Sequence, residues 1–148
     1  MGRKKHHKPV HHLDHSVPLR ALQERFLTQA RKEGFTTTLL GRRRYLPEIN
    51  AKGMLKRMAE GAAVNTPIQG SAAEVIKLAM IKIQQELQIQ KMGSKMILTV
   101  HDELVFDVPF EEEQELCQLV KDTMENVMLL EVPLLVEIGR GNNWLEAH

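Results

Sequence analysis

The stretch that most constrains this chain runs over residues 96–109, where two apolar segments are separated by His101, Asp102 and Glu103. Each flanking segment is rich in Val, Leu, Ile and Phe, which predicts two antiparallel strands joined as a hairpin. A two-residue hairpin turn requires positive φ and favours glycine-containing pairs, yet the predicted tip carries Asp102 and Glu103. Such a departure from a local rule is typical of a functional site. Two adjacent carboxylates need a cation, and Mg²⁺ is the divalent ion that best fits them.

The composition predicts one domain of ordinary size, because the chain has 148 residues, of which 43% are hydrophobic. The low aromatic content of 4% argues against a base-stacking platform, and the net charge of only +1 means that any nucleic-acid affinity must come from local clusters. The single cysteine, Cys117, excludes an internal disulfide and a cysteine zinc site, and core packing explains it better than reactivity. No apolar run reaches the roughly 20 residues of a membrane span, and the basic N-terminal residues lack the apolar segment expected of a secretory signal. We therefore expect a cytoplasmic protein without a membrane partner.

Residues 1–18 differ from the rest of the chain and predict a basic, histidine-rich flexible tail. Four basic residues oppose the single acid Asp14, and neither periodicity nor an apolar face is present. Five histidines lie among them. Since nothing in their spacing fixes a geometry, we expect only adventitious binding of transition metals there.

Residues 19–148 alternate between helical and extended patterns and predict an α+β fold, in which an antiparallel β-hairpin sheet packs against helices. The predicted strands of the hairpin at 95–108 carry apolar residues on both of their faces, so we expect the hairpin to be a central, covered part of that sheet. One long helix ends near residue 90 and starts at Thr66 or at Ser71, because a capping box begins at each of them. The other predicted elements are a helix over 19–34, a hairpin with arginine on its return strand over 35–47, a helix over 52–64, a helix after residues 111–113 and a last strand over 133–139.

Four segments occur in the order and at the spacing of one known family. They are residues 39–47, 63–74, 100–105 and 141–148. Together they resemble the C-terminal end of the family A DNA-directed DNA polymerases, the family of bacterial DNA polymerase I. The resemblance covers residues 19–148 and implies the last part of the fingers and the returning part of the palm of a longer enzyme. It implies nucleotidyl transfer in DNA replication and repair, and an association with the nucleoid.

The His-Asp-Glu triplet corresponds to the third palm motif of that family. The resemblance implies that Asp102 is a ligand of two catalytic Mg²⁺ ions, with Mn²⁺ as a substitute. It implies that Glu103 is an auxiliary metal carboxylate and that His101 approaches the primer terminus. Two ions about 3.5–4 Å apart suit an in-line displacement at phosphorus. A solvated turn is the alternative for the two carboxylates, and a packed or capping histidine is the alternative for His101.

A template-primer duplex is the implied partner. Asn65 and Gln69 match family positions that contact its minor groove, where every base pair presents acceptor atoms. A capping role for Gln69 and a helix-ending role for Asn65 remain compatible with this. Arg42, Arg43 and Arg44 suit the neutralisation of phosphates, and a solvated basic strand is the alternative.

The chain departs from the family pattern at Gly61, where the family usually has arginine. The 148 residues also contain neither the first palm motif, Asp-Tyr-Ser-Gln-Ile-Glu, nor the fingers helix that binds the incoming nucleotide. We therefore expect dNTP binding only if those parts are supplied, and no polymerase activity from this chain alone. The alternatives are a non-catalytic DNA-binding fragment, a fragment that complements a separately encoded remainder, and a His-Asp metal phosphohydrolase.

Overall fold

A computed structural model describes residues 16–147, which form parts of two compact units, residues 1–68 and residues 69–148. The first helix begins at Ser16, three residues before the predicted start of the folded region. Residues 1–15 of the predicted tail lie outside the described part of the chain. The mixture of helices with two antiparallel strand pairs confirms the α+β class.

The first unit packs two helices against a small hairpin. Its buried apolar side chains come from the helices and from the turn after the hairpin: Ala30, Leu46, Ile49, Ala59 and Ala63. Gly34 has a φ of +77° and its amide donates to Ala30, which explains why the first helix ends there. The elements are α1 (Ser16–Glu33), β1 (Phe35–Thr37), β2 (Arg43–Tyr45), a 3₁₀ turn (Pro47–Asn50) and α2 (Gly53–Asn65).

The long helix, α3 (Ser71–Ile89), begins at one of its two predicted starts, but the predicted capping boxes are wrong, because α2 continues through a π-helical segment, Thr66–Gly70, into α3. An N-cap residue needs non-helical backbone angles. Thr66 has φ −63° and ψ −44°, and Gly70 has φ −63° and ψ −40°, so both are helical. Pro67 has no N–H to donate within the helix, and a π-helical turn is one way in which a helix accommodates such a break.

The second unit has a core between α3 and a later helix, α4 (Glu113–Glu125). The buried residues of α3, which are Ala79, Ile83 and Leu87, lie at helical spacing. The buried apolar side chains are Ala79, Ile83, Leu87, Leu116, Val120 and Val127. The remaining elements are β3 (Lys95–Val100), β4 (Glu103–Asp107), a 3₁₀ turn (Phe110–Glu112) and a short C-terminal helix, α5 (Trp144–Ala147).

The hairpin of β3 and β4 differs from its prediction. A bulge at Ile97 separates Met96, which pairs with Phe106, from Leu98, which pairs with Val105. Met96 and Phe106 pack against the core, whereas Ile97 and Leu98 are 55% and 42% exposed. The hairpin forms a sheet of two strands within residues 16–147 and is covered on one face only.

The strand predicted over 133–139 is also wrong, since no extended pairing is assigned there. A strand needs a partner for its backbone groups, and residues of α4 engage this segment instead. The Val136 amide donates to Glu125 Oε1 at 3.1 Å, and Arg140 forms an ion pair with Glu113 at 3.1 Å.

Candidate functional site

The carboxylate loop, residues 101–103, lies at the tip of the β3–β4 hairpin. Val100 pairs with Glu103, so the turn itself consists of His101 and Asp102, and Glu103 is the first residue of β4. The prediction of Asp102 and Glu103 as the tip residues is therefore wrong by one position. His101 has a φ of 54°, a conformation that histidine tolerates better than bulky or β-branched residues.

The loop exposes the groups that a metal ion would use. His101 and Asp102 are exposed and Glu103 is half-buried. Among residues 16–147, no cluster of three or more metal-ligating side chains is found. Mg²⁺ commonly binds one or two carboxylates and completes its shell with water and substrate phosphates. Asp102 and Glu103 are the carboxylates that the loop could offer to one divalent ion, and they fall short of a protein-only cage for two.

The base of the same hairpin is closed by a carboxylate that the sequence did not single out. Glu112 accepts hydrogen bonds from the amides of Gly93 at 2.7 Å and Ser94 at 2.8 Å, and from Ser94 Oγ at 2.6 Å. These bonds, with the Ser94 hydroxyl first, hold the pKa of Glu112 below its usual value. These contacts have no local signature in the sequence, because Ser94 and Gly93 lie 18 and 19 positions before Glu112.

The predicted phosphate-binding arginines lie on and beside β2, and all three are exposed. The guanidinium of Arg43 lies over the ring of Phe35, 4.7 Å from its centroid. Arg44 Nη1 donates to Thr66 Oγ1 at 3.2 Å, and the Arg42 amide donates to Thr38 Oγ1 at 3.1 Å. Because successive strand residues face opposite sides, Arg43 and Arg44 present their charges on different faces of the hairpin.

The predicted minor-groove residues occupy the end of α2 and the π-helical segment. Asn65 is the last residue of α2 in the first unit, and Gln69 begins the second unit. Both side chains are exposed. Gly61 is exposed on α2, and a Cβ atom built there would meet no atom within 4 Å. Packing therefore does not require glycine at this position.

Comparisons with known proteins decide the family. The sequence profile of DNA polymerase family A matches residues 13–146. The chain belongs to DNA polymerase family A. DNA polymerase I of Mycobacterium leprae is 48% identical over 117 residues, which are 78% of this chain and 13% of that protein. DNA polymerase I of Bacillus caldotenax is 44% identical over 125 residues, which are 84% of this chain and 14% of that protein.

A solved structure of the same family shares the fold. The POL domain of Pol1 from M. smegmatis, in complex with DNA primer-template and dNTP, has a TM-score of 0.87 and 46% identity. The match covers 90% of this chain and 24% of that one. The resemblance to family A polymerases is thereby confirmed. The chain spans about a seventh of the length of the curated relatives that it matches. The roles of individual site residues stay predictions. Within residues 16–147, no helix has the length and apolar composition that crossing a membrane demands.

Proposed function

We propose that this chain supplies a metal-binding and duplex-contacting part of a DNA-directed DNA polymerase, acting in replication and repair. The observation that carries the proposal is the carboxylate loop. It is a two-residue turn with positive φ at His101, it exposes Asp102, and it lies within a segment that belongs to family A. Backbone conformations of this kind are concentrated at functional sites.

In this proposal Asp102 and Glu103 hold a divalent ion, Mg²⁺ by preference and Mn²⁺ as a substitute. When bound, the ion would supply electrostatic stabilisation to the oxygens at a reacting phosphate. The exposure of Asp102 leaves room for water and for substrate oxygens beside the carboxylate. His101 precedes it in the turn and would approach the primer terminus. A second ion needs carboxylates beyond this pair.

The proposed partner is a template-primer duplex. Binding to DNA would in turn associate the protein with the nucleoid. Arg42, Arg43 and Arg44 would neutralise phosphates, and their exposure supports this. The amides of Asn65 and Gln69 would donate to purine N3 and pyrimidine O2, which are present in all base pairs. Such contacts are independent of sequence, as copying requires. The related M. smegmatis domain was solved with DNA primer-template and dNTP, which supports a duplex partner here.

We also propose that residues 1–148 alone do not extend a primer. The described residues offer one carboxylate pair in the loop and no cluster of three or more metal ligands. Primer extension with Mg²⁺ and four dNTPs tests this directly. No incorporation is expected, and incorporation that disappears in Asp102→Ala would overturn the proposed inactivity.

The metal role is tested by Mn²⁺, whose unpaired electrons broaden NMR signals close to it. In the unaltered chain we expect selective broadening of the amide signals of Asp102 and Glu103. Asp102→Asn should abolish it, and Asp107→Asn, which alters an exposed carboxylate at the other end of the hairpin, should leave it unchanged. Broadening that is absent from the loop, or that is equal at both ends, would refute the proposed site.

A non-catalytic DNA-binding fragment is the second candidate, and the three exposed arginines favour it. It predicts duplex binding that falls steeply between about 50 and 200 mM salt. The two candidates differ in the carboxylate loop, because only the polymerase proposal requires Mn²⁺ to bind at Asp102. A His-Asp phosphohydrolase needs further ligands near His101, and no such cluster is found within residues 16–147.

A further inference from the structure

The glutamate clamp, which is Glu112 with Gly93 and Ser94, joins the chain just before β3 to the chain just after β4. Ser94 directly precedes Lys95, the first residue of β3, and is only 5% exposed. Both oxygens of the Glu112 carboxylate are engaged, one by the Gly93 amide and the other by the amide and hydroxyl of Ser94. The fit is tight, because a Cβ built on Gly93 would lie 3.3 Å from Glu112 Oε1.

The hairpin between the clamp and the loop contains two registers. Below the bulge at Ile97, Met96 pairs with Phe106. Above it, Leu98 pairs with Val105, and this upper register continues to the two-residue turn. If the upper register continued downward without a bulge, Ile97 would pair with Phe106. Because side chains alternate along a strand, Ile97 would then replace Met96 on the core face.

A second alternative arises if the lower register continues upward. Ile97 would pair with Val105, and the turn would become the three residues Val100, His101 and Asp102. The position of Asp102 in the loop therefore depends on where the bulge lies. A sheet of two strands has little intrinsic stability with which to resist such a slip.

We propose that Glu112 is a positioning residue that fixes the lower register and, with it, the bulge at Ile97. A slip of β3 by one residue moves its start by about 3.3 Å, which separates the amides of Gly93 and Ser94 from the carboxylate. Glu112 holds the base of the hairpin in the lower register, and the two-residue turn holds the tip in the upper register. Between these two points β3 has one residue more than β4, and that residue bulges out. The consequence for Asp102 as a metal ligand rests on the proposed function, whereas the register does not.

The test is NMR of the 148-residue chain labelled at its methionine and isoleucine methyl groups and at its amides. In the unaltered chain, a nuclear Overhauser contact joins the Met96 methyl group to the Phe106 ring. In Glu112→Gln this contact should weaken, and a second signal set should show the Ile97 methyl group near Phe106. Exchange of the β3 and β4 amides should rise about tenfold, while amides of α3 and α4 keep their protection.

Ser94→Ala serves as a milder variant, because it retains the carboxylate and both backbone bonds. It should raise the exchange of the hairpin amides by less than Glu112→Gln, and it keeps the test decisive if Glu112→Gln does not fold. Glu111→Gln is the matched control, since Glu111 is the exposed neighbouring carboxylate, and it should change nothing. A single, unaltered set of contacts in Glu112→Gln would overturn the proposal, as would unaltered hairpin exchange in Ser94→Ala or an equal change in the control.

Adding Mn²⁺ to the same samples separates this inference from the proposed function. If the loop of the unaltered chain is not broadened, the metal role fails while a register change in Glu112→Gln still supports the clamp. If the loop is broadened and the register is unaffected by Glu112→Gln, the clamp proposal alone fails.

Discussion

Thr36 Oγ1 donates a buried hydrogen bond of 3.3 Å to the carbonyl oxygen of Ala63. Pro67, four residues further along, has no N–H with which a regular helix would satisfy that carbonyl. A side chain from β1 thus supplies a donor at the place where α2 passes into the π-helical segment. Thr36 is 6% exposed, so water does not readily replace it.

Thr36→Val should therefore destabilise the chain by about 1–2 kcal/mol, because it removes a donor from a buried carbonyl while keeping the shape of the side chain. Urea unfolding followed by circular dichroism measures the effect. Thr37→Val is the matched control, since it makes the same change on the neighbouring, less buried residue of β1. Equal losses of stability in the two variants would contradict the role given to the hydrogen bond.

Gly61→Ala should stabilise the chain by about 1 kcal/mol, because glycine in a helix interior is unfavourable relative to alanine. The position is exposed on α2, and the added Cβ would meet nothing within 4 Å. The midpoint of urea unfolding should move upward with an unchanged slope. A lower midpoint would mean that the backbone at Gly61 needs the freedom of glycine.

Gly141→Ala should have the opposite effect at the C-terminus. A Cβ there would lie 2.5 Å from Glu146 Cβ and 2.8 Å from the Ala147 amide nitrogen, so α5 must move away from residues 139–141. Overpacking of this kind costs about 1–3 kcal/mol. Because α5 is a single short turn, we expect faster amide exchange at Glu146 and Ala147 with little change in α3. Unaltered exchange at both residues would contradict the close approach.

Local patterns predicted the elements whose signals are local. The long helix that ends near residue 90, the helix after residues 111–113 and the arginines on the return strand β2 are examples, and each is confirmed. The capping box at Thr66 failed because four residues cannot reveal whether the preceding chain is already helical. The strand over 133–139 failed because an apolar alternation does not supply a pairing partner.

In the candidate site, too, the features with a local sequence signal were predicted and the features without one were missed. The short His-Asp-Glu sequence drew attention to the carboxylate loop, but it carries no signal for the bulge at Ile97, which lies four residues before it. Glu112 was missed because its partners, Gly93 and Ser94, are separated from it by both strands. Contacts that close the base of a hairpin leave no periodicity in the sequence.

Arg44→Gln should weaken duplex binding. It should also make the fall of log K with log salt concentration less steep by about 0.9, the value for one phosphate contact. Fluorescence anisotropy with a template-primer duplex at several salt concentrations measures it. Arg20→Gln, which removes an exposed positive charge from α1, is the control for net charge. If the two variants reduce the slope equally, the effect comes from overall charge and Arg44 has no specific contact.

Acid should loosen the base of the hairpin before it affects the helices. The pKa of Glu112 is held below its usual value, chiefly by the hydroxyl of Ser94 and then by the Gly93 amide. A carboxyl group whose pKa is lower in the folded state stabilises the fold above its unfolded pKa. That contribution begins to be lost as the pH falls below about 4.3, the unperturbed pKa of glutamate. It is fully lost once the pH lies below the pKa of Glu112 in the folded state.

The amide signals of Gly93 and Ser94 should therefore titrate together, with a midpoint below that of an exposed glutamate, and hairpin exchange should rise over the same range. In Ser94→Ala the midpoint should move upward, because the largest cause of the lowered pKa is removed. In Glu112→Gln the titration should vanish. If the midpoint in Ser94→Ala equals that of the unaltered chain, the Ser94 hydroxyl is not the cause of the lowered pKa of Glu112, and the prediction is wrong.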